Sequence, residues 1–429
     1  VQGVLLDVDY VDNKKSSQIR LFVKTKEKIE VFFDRSFYPY FYAEILNKRA
    51  AKKIEKQKFS EGIKALNVKP GIEKTVKVEF ARVAELTVVR KEIKELDFVN
   101  EIFEYDIPFS KRYLLDKQLE PLNGIELTVD GDEIKSVKTF EEPSPNLTYA
   151  AFDIETLSPG RFSNPEKDPV LMISLFKEGK GTLLTTNKKL KGNKEITVFA
   201  SEKEMIQAFA DFLEQEKVDV LVTYNGDNFD LPYLKDRAKT LGFKLQFYPV
   251  NQGPSIRSVG RDNIARLHGI QHLDAYQMLR FLNRFGVVSL VKFGLESVAL
   301  SLFGDDKNKI THEEINEIWK TGKGLKGLAK YCIEDSETAL KIAERYAPLM
   351  AEISKLVKQT LFETGRSSAS MLVEYLLMNK AVVEKKIAPN KPGDEETRQR
   401  IMQTFKGGYV KEPIPGLHER LAVLDFSSL

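Results

Sequence analysis

The chain has a single cysteine, Cys332, in 429 residues. No internal disulfide can form, and no cysteine cluster can hold a metal. Histidine is nearly as scarce: His268, His272, His312 and His418 do not form the two-histidine helix with a nearby glutamate that zinc proteases use. Any metal chemistry therefore falls to carboxylates, which suit magnesium or manganese. No apolar run is long enough to span a bilayer, and the first seven residues carry no basic segment ahead of their apolar ones. The expectation is a cytoplasmic protein with no membrane partner. Net charge is also slight, +3 from 66 lysines and arginines against 63 acids, so charge alone does not mark a nucleic-acid binder.

With 42% hydrophobic residues the chain can build two or three domains, each with its own core. Residues 5–10, 19–24 and 29–33 alternate like the strands of an antiparallel opening. The stretch Phe37-Tyr38-Pro39-Tyr40-Phe41-Tyr42 gathers aromatics around a proline, which suits either a core or a base-stacking pocket. A second such cluster, 103–109, leads into Lys111-Arg112. Residues 47–65 read as a basic helix, fit for a solvated face or for phosphate contact, and 88–96 as a further helix. Pro143 and Pro145 mark a linker. Beyond it come a strand at 149–156, a hairpin signal around 177–181, a helix capped by Ser201 and Glu204, and a strand at 218–224. Three strands, a helix and a strand is the order of a ribonuclease H-like α/β domain.

Three carboxylate patterns stand on these elements. Asp153 and Glu155 alternate with Phe152 and Ile154, so both acids project from one face of a buried strand and call for a cation between them. Asp230 follows the strand 218–224, just ahead of Pro232, in the position of a helix N-cap. Tyr331 and Asp335 lie four residues apart on a helix whose apolar stripe runs from Gly324 to about Ala347. Singly, each has a bland alternative: solvated acids, a cap, or a hydrogen-bonded structural pair.

In this order and at domain-scale spacing, D-x-E, N-x-x-x-F-D and Y-x-x-x-D resemble the three exonuclease motifs of proofreading 3′→5′ exonucleases. The sequence more closely resembles the archaeal B-family replicative DNA polymerases, through Val222-Thr223-Tyr224-Asn225-Gly226-Asp227, Phe103-Glu104-Tyr105-Asp106-Ile107-Pro108-Phe109 and Arg366-Ser367-Ser368. That resemblance implies two Mg2+ or Mn2+ ions per exonuclease site, about 4 Å apart. Asp153, Glu155 and Asp335 would hold one, and Asp153 with Asp230 the other. Tyr331 would orient the attacking water, while Asn225 and Phe229 would steady the frayed DNA end.

The resemblance extends to both ends. Gly407-Gly408-Tyr409 resembles the family's Y-x-G-G segment, which approaches template DNA, with Phe405 in the tyrosine position. Asp425, in Val423-Leu424-Asp425-Phe426-Ser427-Ser428-Leu429, resembles the metal-binding carboxylate of polymerase motif A. No second palm carboxylate follows, so nucleotide addition would need a longer chain or a second polypeptide bearing the remaining palm, fingers and thumb. A sliding clamp is a further implied partner. Tyr10, Pro39, Tyr40, Ile107, Pro108, Phe109 and Arg112 match the family's uracil-reading pocket, with Leu86 where valine is expected.

The reading is thus a mixed α/β protein with a β-rich N-terminal domain (1–142), a ribonuclease H-like exonuclease domain (143–346), a return to the N-terminal domain (347–388) and the start of a polymerase palm (389–429). A free-standing 3′→5′ exonuclease would leave Asp425 and the aromatic clusters without a role. A non-catalytic DNA-binding scaffold fits poorly with a full set of exonuclease carboxylates.

Overall fold

The structure, a computed structural model, describes residues 1–142, 145–158, 160, 162–306, 309–403, 408–409 and 411–422. It separates into two units, Val1–Pro389 and Asn390–Leu429. The first opens with β1 (Gln2–Asp12), β2 (Ser17–Lys24) and β3 (Ile29–Asp34), followed by β4 (Tyr40–Ile45), α1 (Lys48–Lys56), β5 (Asn67–Pro70), β6 (Thr75–Glu79), α2 (Val83–Lys94) and β7 (Val99–Phe103). After α3 (Phe109–Lys117), β8 (Gly124–Asp130) and β9 (Glu133–Phe140) close a barrel in the order β1-β2-β3-β9-β8. The intervening strands make a separate sheet, β5-β6-β4-β7. Phe41 and Val78 of that sheet bury a core with Ile54 of α1 and Leu86, Val89 and Ile93 of α2. Two helices differ from the sequence reading: α1 stops at Lys56, and α2 begins at Val83 because Glu85 closes its first turn on the Arg82 amide.

The next sheet has six strands in the order β13-β12-β11-β10-β14-β17. They are β10 (Tyr149–Thr156), β11 (Val170–Lys177), β12 (Lys180–Thr185), β13 (Ile196–Val198), β14 (Val220–Thr223) and β17 (Gln271–Asp274). A hairpin of β15 (Ser255–Val259) and β16 (Asp262–Arg266) stands apart from it. β10 and β11 pair antiparallel, with Asp153 opposite Ser174 and Glu155 opposite Met172, and β14 adds parallel to β10. Helices α4 (Glu202–Gln215), α5 (Asp230–Thr240), α6 (Ala275–Arg284), α7 (Leu295–Phe303) and α8 (His312–Thr321) surround it. Phe152 packs on Phe209 of α4 with ring centroids 4.5 Å apart, which fixes the apolar face of β10.

The opposite face belongs to α9 (Leu325–Val357). Its Ser336 bonds Ser174 at 2.5 Å, and its Ile333 lies where a Cβ on Gly181 would come within 2.3 Å, so glycine there permits the close approach. The helix runs through Pro348, ten residues past the end of the apolar stripe seen in the sequence, because a proline removes one backbone donor without stopping a helix that is packed on both sides of it. α10 (Leu361–Thr364) then packs on α9 and β17, while α11 (Ala369–Val383) returns to α3, where Gln118 donates to Asn379 at 3.2 Å. Lys111 donates to the Lys358 carbonyl at 2.9 Å, and the Ala388 amide to Glu104 at 2.6 Å. In the second unit, α12 (Asp394–Met402) is the helix among the described residues, and it buries no side chain. Among the described residues no helix is long and apolar enough to cross a membrane.

Candidate active site

Strand alternation carries Asp153 and Glu155 to the α9 face of the six-stranded sheet, and α9 presents Asp335 to meet them. Ligand atoms of Asp153, Glu155 and Asp335 all lie within 4.8 Å of one another. Asp230 is not one of that tight trio. It enters at the strand itself, where its Oδ1 accepts the Ile154 amide at 3.2 Å, between the two acids of β10. The sequence placed Asp230 as an N-cap; in the fold Phe229 precedes the helix, Asp230 is its first residue, and its carboxylate is spent on the neighbouring strand instead.

Packing acids together out of water disfavours their charged forms. Burial, then the charges of Asp335 and Asp230, push the Glu155 carboxyl up to about 8 against the slight opposing effect of a hydrogen bond from the Cys332 thiol. Burial pushes Asp230 up to about 7, although its backbone hydrogen bonds favour the anion. The Tyr331 hydroxyl is raised by burial and by the charges of Asp335, to which it is hydrogen-bonded, and Glu155. Cys332 is raised by burial and by the same carboxylates. Oxygen donors at this spacing, costly to ionise together, fit a divalent cation.

Around Asp230 the loop 224–229 is held from beneath. Asn225 sits in the left-handed region (φ 67°), and its amide donates to Asp274 at 2.9 Å. Asp274 also accepts the Asp227 amide at 3.0 Å and caps α6. A Cβ on Gly226 would fall 2.5 Å from the Thr223 side chain, so this tight turn requires glycine. Phe229 stacks at a tilt on Tyr233, centroids 5.4 Å apart.

A second set of buried potential ligands, Asp227, His272 and Asp274, lies nearby. It is already satisfied. Arg366 grips Asp227 with Nε at 2.6 Å and Nη2 at 3.0 Å. His272 donates from Nδ1 to the Ala265 carbonyl at 2.7 Å and accepts from Thr223 at Nε2, and burial beside Arg366 lowers it to about 4, so it is neutral near pH 7. Burial is the largest influence on Asp227 and opposes its ionisation, but the charge and hydrogen bonds of Arg366, with neighbouring His272 and the Ala265 amide, together outweigh it and hold the carboxyl below its ordinary range. These residues escaped the sequence reading. Asp227 and Arg366 appear there only as parts of family-like segments, and the signal that could have found the set is the aspartate ending the strand 271–274, again directly before a helix.

Of the other residues singled out by sequence, Tyr10 and Phe109 meet edge to face at 5.5 Å, Phe37 stacks on Phe109, and the Arg112 guanidinium lies 4.8 Å over Tyr40. Pro39 is buried beside Tyr40, Ile107 is half-buried and Pro108 is exposed. Leu86 packs in the core of the four-stranded sheet, a different cluster from that of Phe109. Gly408 and Tyr409 are exposed in the second unit, while Gly407 and Asp425 lie outside the described residues.

The profile of the DNA polymerase family B exonuclease domain matches residues 100–285, which include Asp153, Glu155 and Asp230. Related sequences extend the match to the whole chain: a DNA polymerase of Pyrococcus glycovorans is 36% identical over 439 residues, covering 99% of this chain and 53% of the relative. Along nearly its whole length this chain is thus similar to the family B DNA polymerases. A DNA polymerase of Thermococcus gorgonarius is 35% identical over 436 residues, again 99% of this chain and 53% of the relative. The chain therefore spans about half the length of these curated relatives. The solved family B DNA polymerase of the hyperthermophilic archaeon Pyrobaculum calidifontis shares its fold at a TM-score of 0.78 and 24% identity, over 97% of this chain and 54% of that one. The family B profile ends before Tyr331 and Asp335, so the third carboxylate pattern rests on the geometry of α9.

Proposed function

We propose that the chain carries the 3′→5′ proofreading exonuclease of a family B DNA polymerase. The observation that supports this most is the convergence of Asp153 and Glu155 from β10 with Asp335 from α9, ligand atoms within 4.8 Å. Two divalent ions, magnesium or manganese, would activate water and offset charge on the departing 3′ oxygen. Asp153, Glu155 and Asp335 hold the water-side position, and Asp153 with Asp230 the other. Tyr331, tied to Asp335, orients the attacking water. Asn225 and Phe229, on the loop leading into α5, steady the DNA end. Asp153→Ala with Glu155→Ala tests the reading on 3′-labelled single-stranded DNA in magnesium: degradation is lost, whereas undiminished degradation overturns it.

In this reading residues 1–142 form the template-reading domain, 143–346 the exonuclease, 347–388 the return to the first domain and 389–429 the start of the palm. Nucleotide addition, with Asp425 as one palm carboxylate and Gly407, Gly408 and Tyr409 against the template, belongs to the assembly with the remaining palm, fingers and thumb, on a longer or second polypeptide, and a sliding clamp. The clustering of Tyr10, Phe109, Tyr40 and Arg112 supports template uracil reading. Single strands containing uracil should bind more tightly than plain ones in a competition assay; equal affinity overturns that assignment.

A further inference from the structure

Three residues before Asp230, Asp227 sits fully buried with its carboxylate in the fork of Arg366. That arginine comes from far along the chain, just beyond α10. The same guanidinium donates through Nη1 to the carbonyls of His272 (3.0 Å) and Phe362 (2.8 Å), and lies 4.2 Å over the Phe362 ring. It therefore ties three elements at one point: the loop before α5, the end of β17 and α10. Asp227 returns the grip by accepting the Ala265 amide at 2.8 Å, which adds β16.

Only a short stretch separates this knot from the site. The Leu231 amide donates to the Gly226 carbonyl at 3.2 Å, so the first turn of α5 is continuous with the loop. Slack at Asp227 would pass directly to Asp230, whose Oδ1 must meet Ile154 between Asp153 and Glu155. Residues that orient a ligand commonly matter ten- to a hundredfold for metal affinity. Lysine carries the same charge but lacks the planar fork, and cannot reach two carboxylate oxygens and two carbonyls together.

We infer that Arg366 is a positioning residue of the exonuclease site: through Asp227 it fixes the loop that sets Asp230 in place, so divalent-ion affinity depends on it although it touches neither ion nor DNA. The inference rests on the exonuclease reading above. Two variants test it, Arg366→Lys and the double variant Asp227→Asn with Arg366→Met, which removes the buried charge together with its partner and so keeps the fold. Mn2+ uptake, followed by the electron paramagnetic resonance of the free ion, is measured beside thermal melting and degradation of single-stranded DNA. The expected result is a half-saturating Mn2+ concentration raised about tenfold or more in folded variants, with activity partly restored by excess Mn2+. Wild-type affinity in variants that melt normally overturns the inference, as does loss of fold in both, which would make Arg366 a stability residue only. A wild-type chain that takes up no Mn2+ overturns the exonuclease reading along with it; normal uptake by the wild type, abolished by Asp153→Ala but untouched by either Arg366 variant, overturns this inference alone.

Discussion

Asp227 and Asp230 stand three residues apart at one strand-to-helix junction, both almost wholly buried, yet their surroundings treat their charge in opposite ways. Asp227 has an arginine fork and is held ionised. Asp230 is pushed towards its neutral form, and so is Glu155, which feels the charges of Asp335 and Asp230. A buried carboxylate with its own cation is a structural fixture, since the pair has already compensated its loss of water. Buried carboxylates set against one another leave that compensation to an ion from outside. Counting acids in a cavity would not separate the two groups. Asking which acid already owns a cation does.

The contrast can be broken first at the level of activity. Removing Asp153 and Glu155 together should lower exonuclease turnover by about a thousandfold or more, since ion-mediated stabilisation of a transition state is worth several kcal/mol; single-turnover decay of labelled DNA measures this. Stability should respond in the opposite sense at the two groups. Arg366→Met alone strands the Asp227 charge and should destabilise the protein by about 3–5 kcal/mol, read from urea unfolding without metal. Glu155→Gln, which fixes the neutral form in the crowded group, should leave metal-free stability unchanged or raised.

Dependence on pH sharpens the same comparison. Glu155 titrates near 8 in the fold, above its ordinary range, so the stability tied to its protonated form is complete below that range and is lost as pH rises through about 8. Asp227 is lowered, so its contribution is present above the ordinary carboxylate range and disappears as pH falls below it. Metal-free melting temperature should therefore decline between about pH 5 and 8 from the Glu155 side, while Mn2+ affinity climbs over the same interval by up to about tenfold per pH unit for each proton released. A flat Mn2+ affinity from pH 6 to 8 would contradict the assignment. The smallest effect belongs to Tyr331→Phe. Losing one hydrogen bond to a charged partner, worth about 1.5–3 kcal/mol at most, should slow turnover by roughly tenfold with DNA affinity unchanged in a binding titration.

Much of the site was legible because its parts obey local periodicities. Alternation put Asp153 and Glu155 on one face of β10, and the four-residue repeat placed Tyr331 beside Asp335 on α9. The start of α5 was misjudged by one residue, since a carboxylate that bonds a neighbouring strand looks in sequence like one that caps its own helix. The apolar stripe on α9 was followed only to about Ala347, whereas the helix continues through Pro348 to Val357, where packing rather than a simple stripe sustains it. The knot of Asp227, His272, Asp274 and Arg366 had no periodicity to betray it. Its members come from a loop, a strand end and a turn some 140 positions later, and only the fold brings them together.

The strand β14 is bounded by two buried anions, Asp219 before it and Asp227 after it. Lys24 of the barrel pairs with Asp219 at 2.9 Å, and Arg366 pairs with Asp227 from beyond α9. The central sheet has thus borrowed both of its counter-charges from sequence on either side of it. Recombination that moved the sheet alone into another chain, even with every exonuclease carboxylate intact, would carry two uncompensated charges into its core. Shuffling should succeed only with segments that bring Lys24 and Arg366 along, so the sheet is inheritable with its flanking sequence rather than as a detachable cassette.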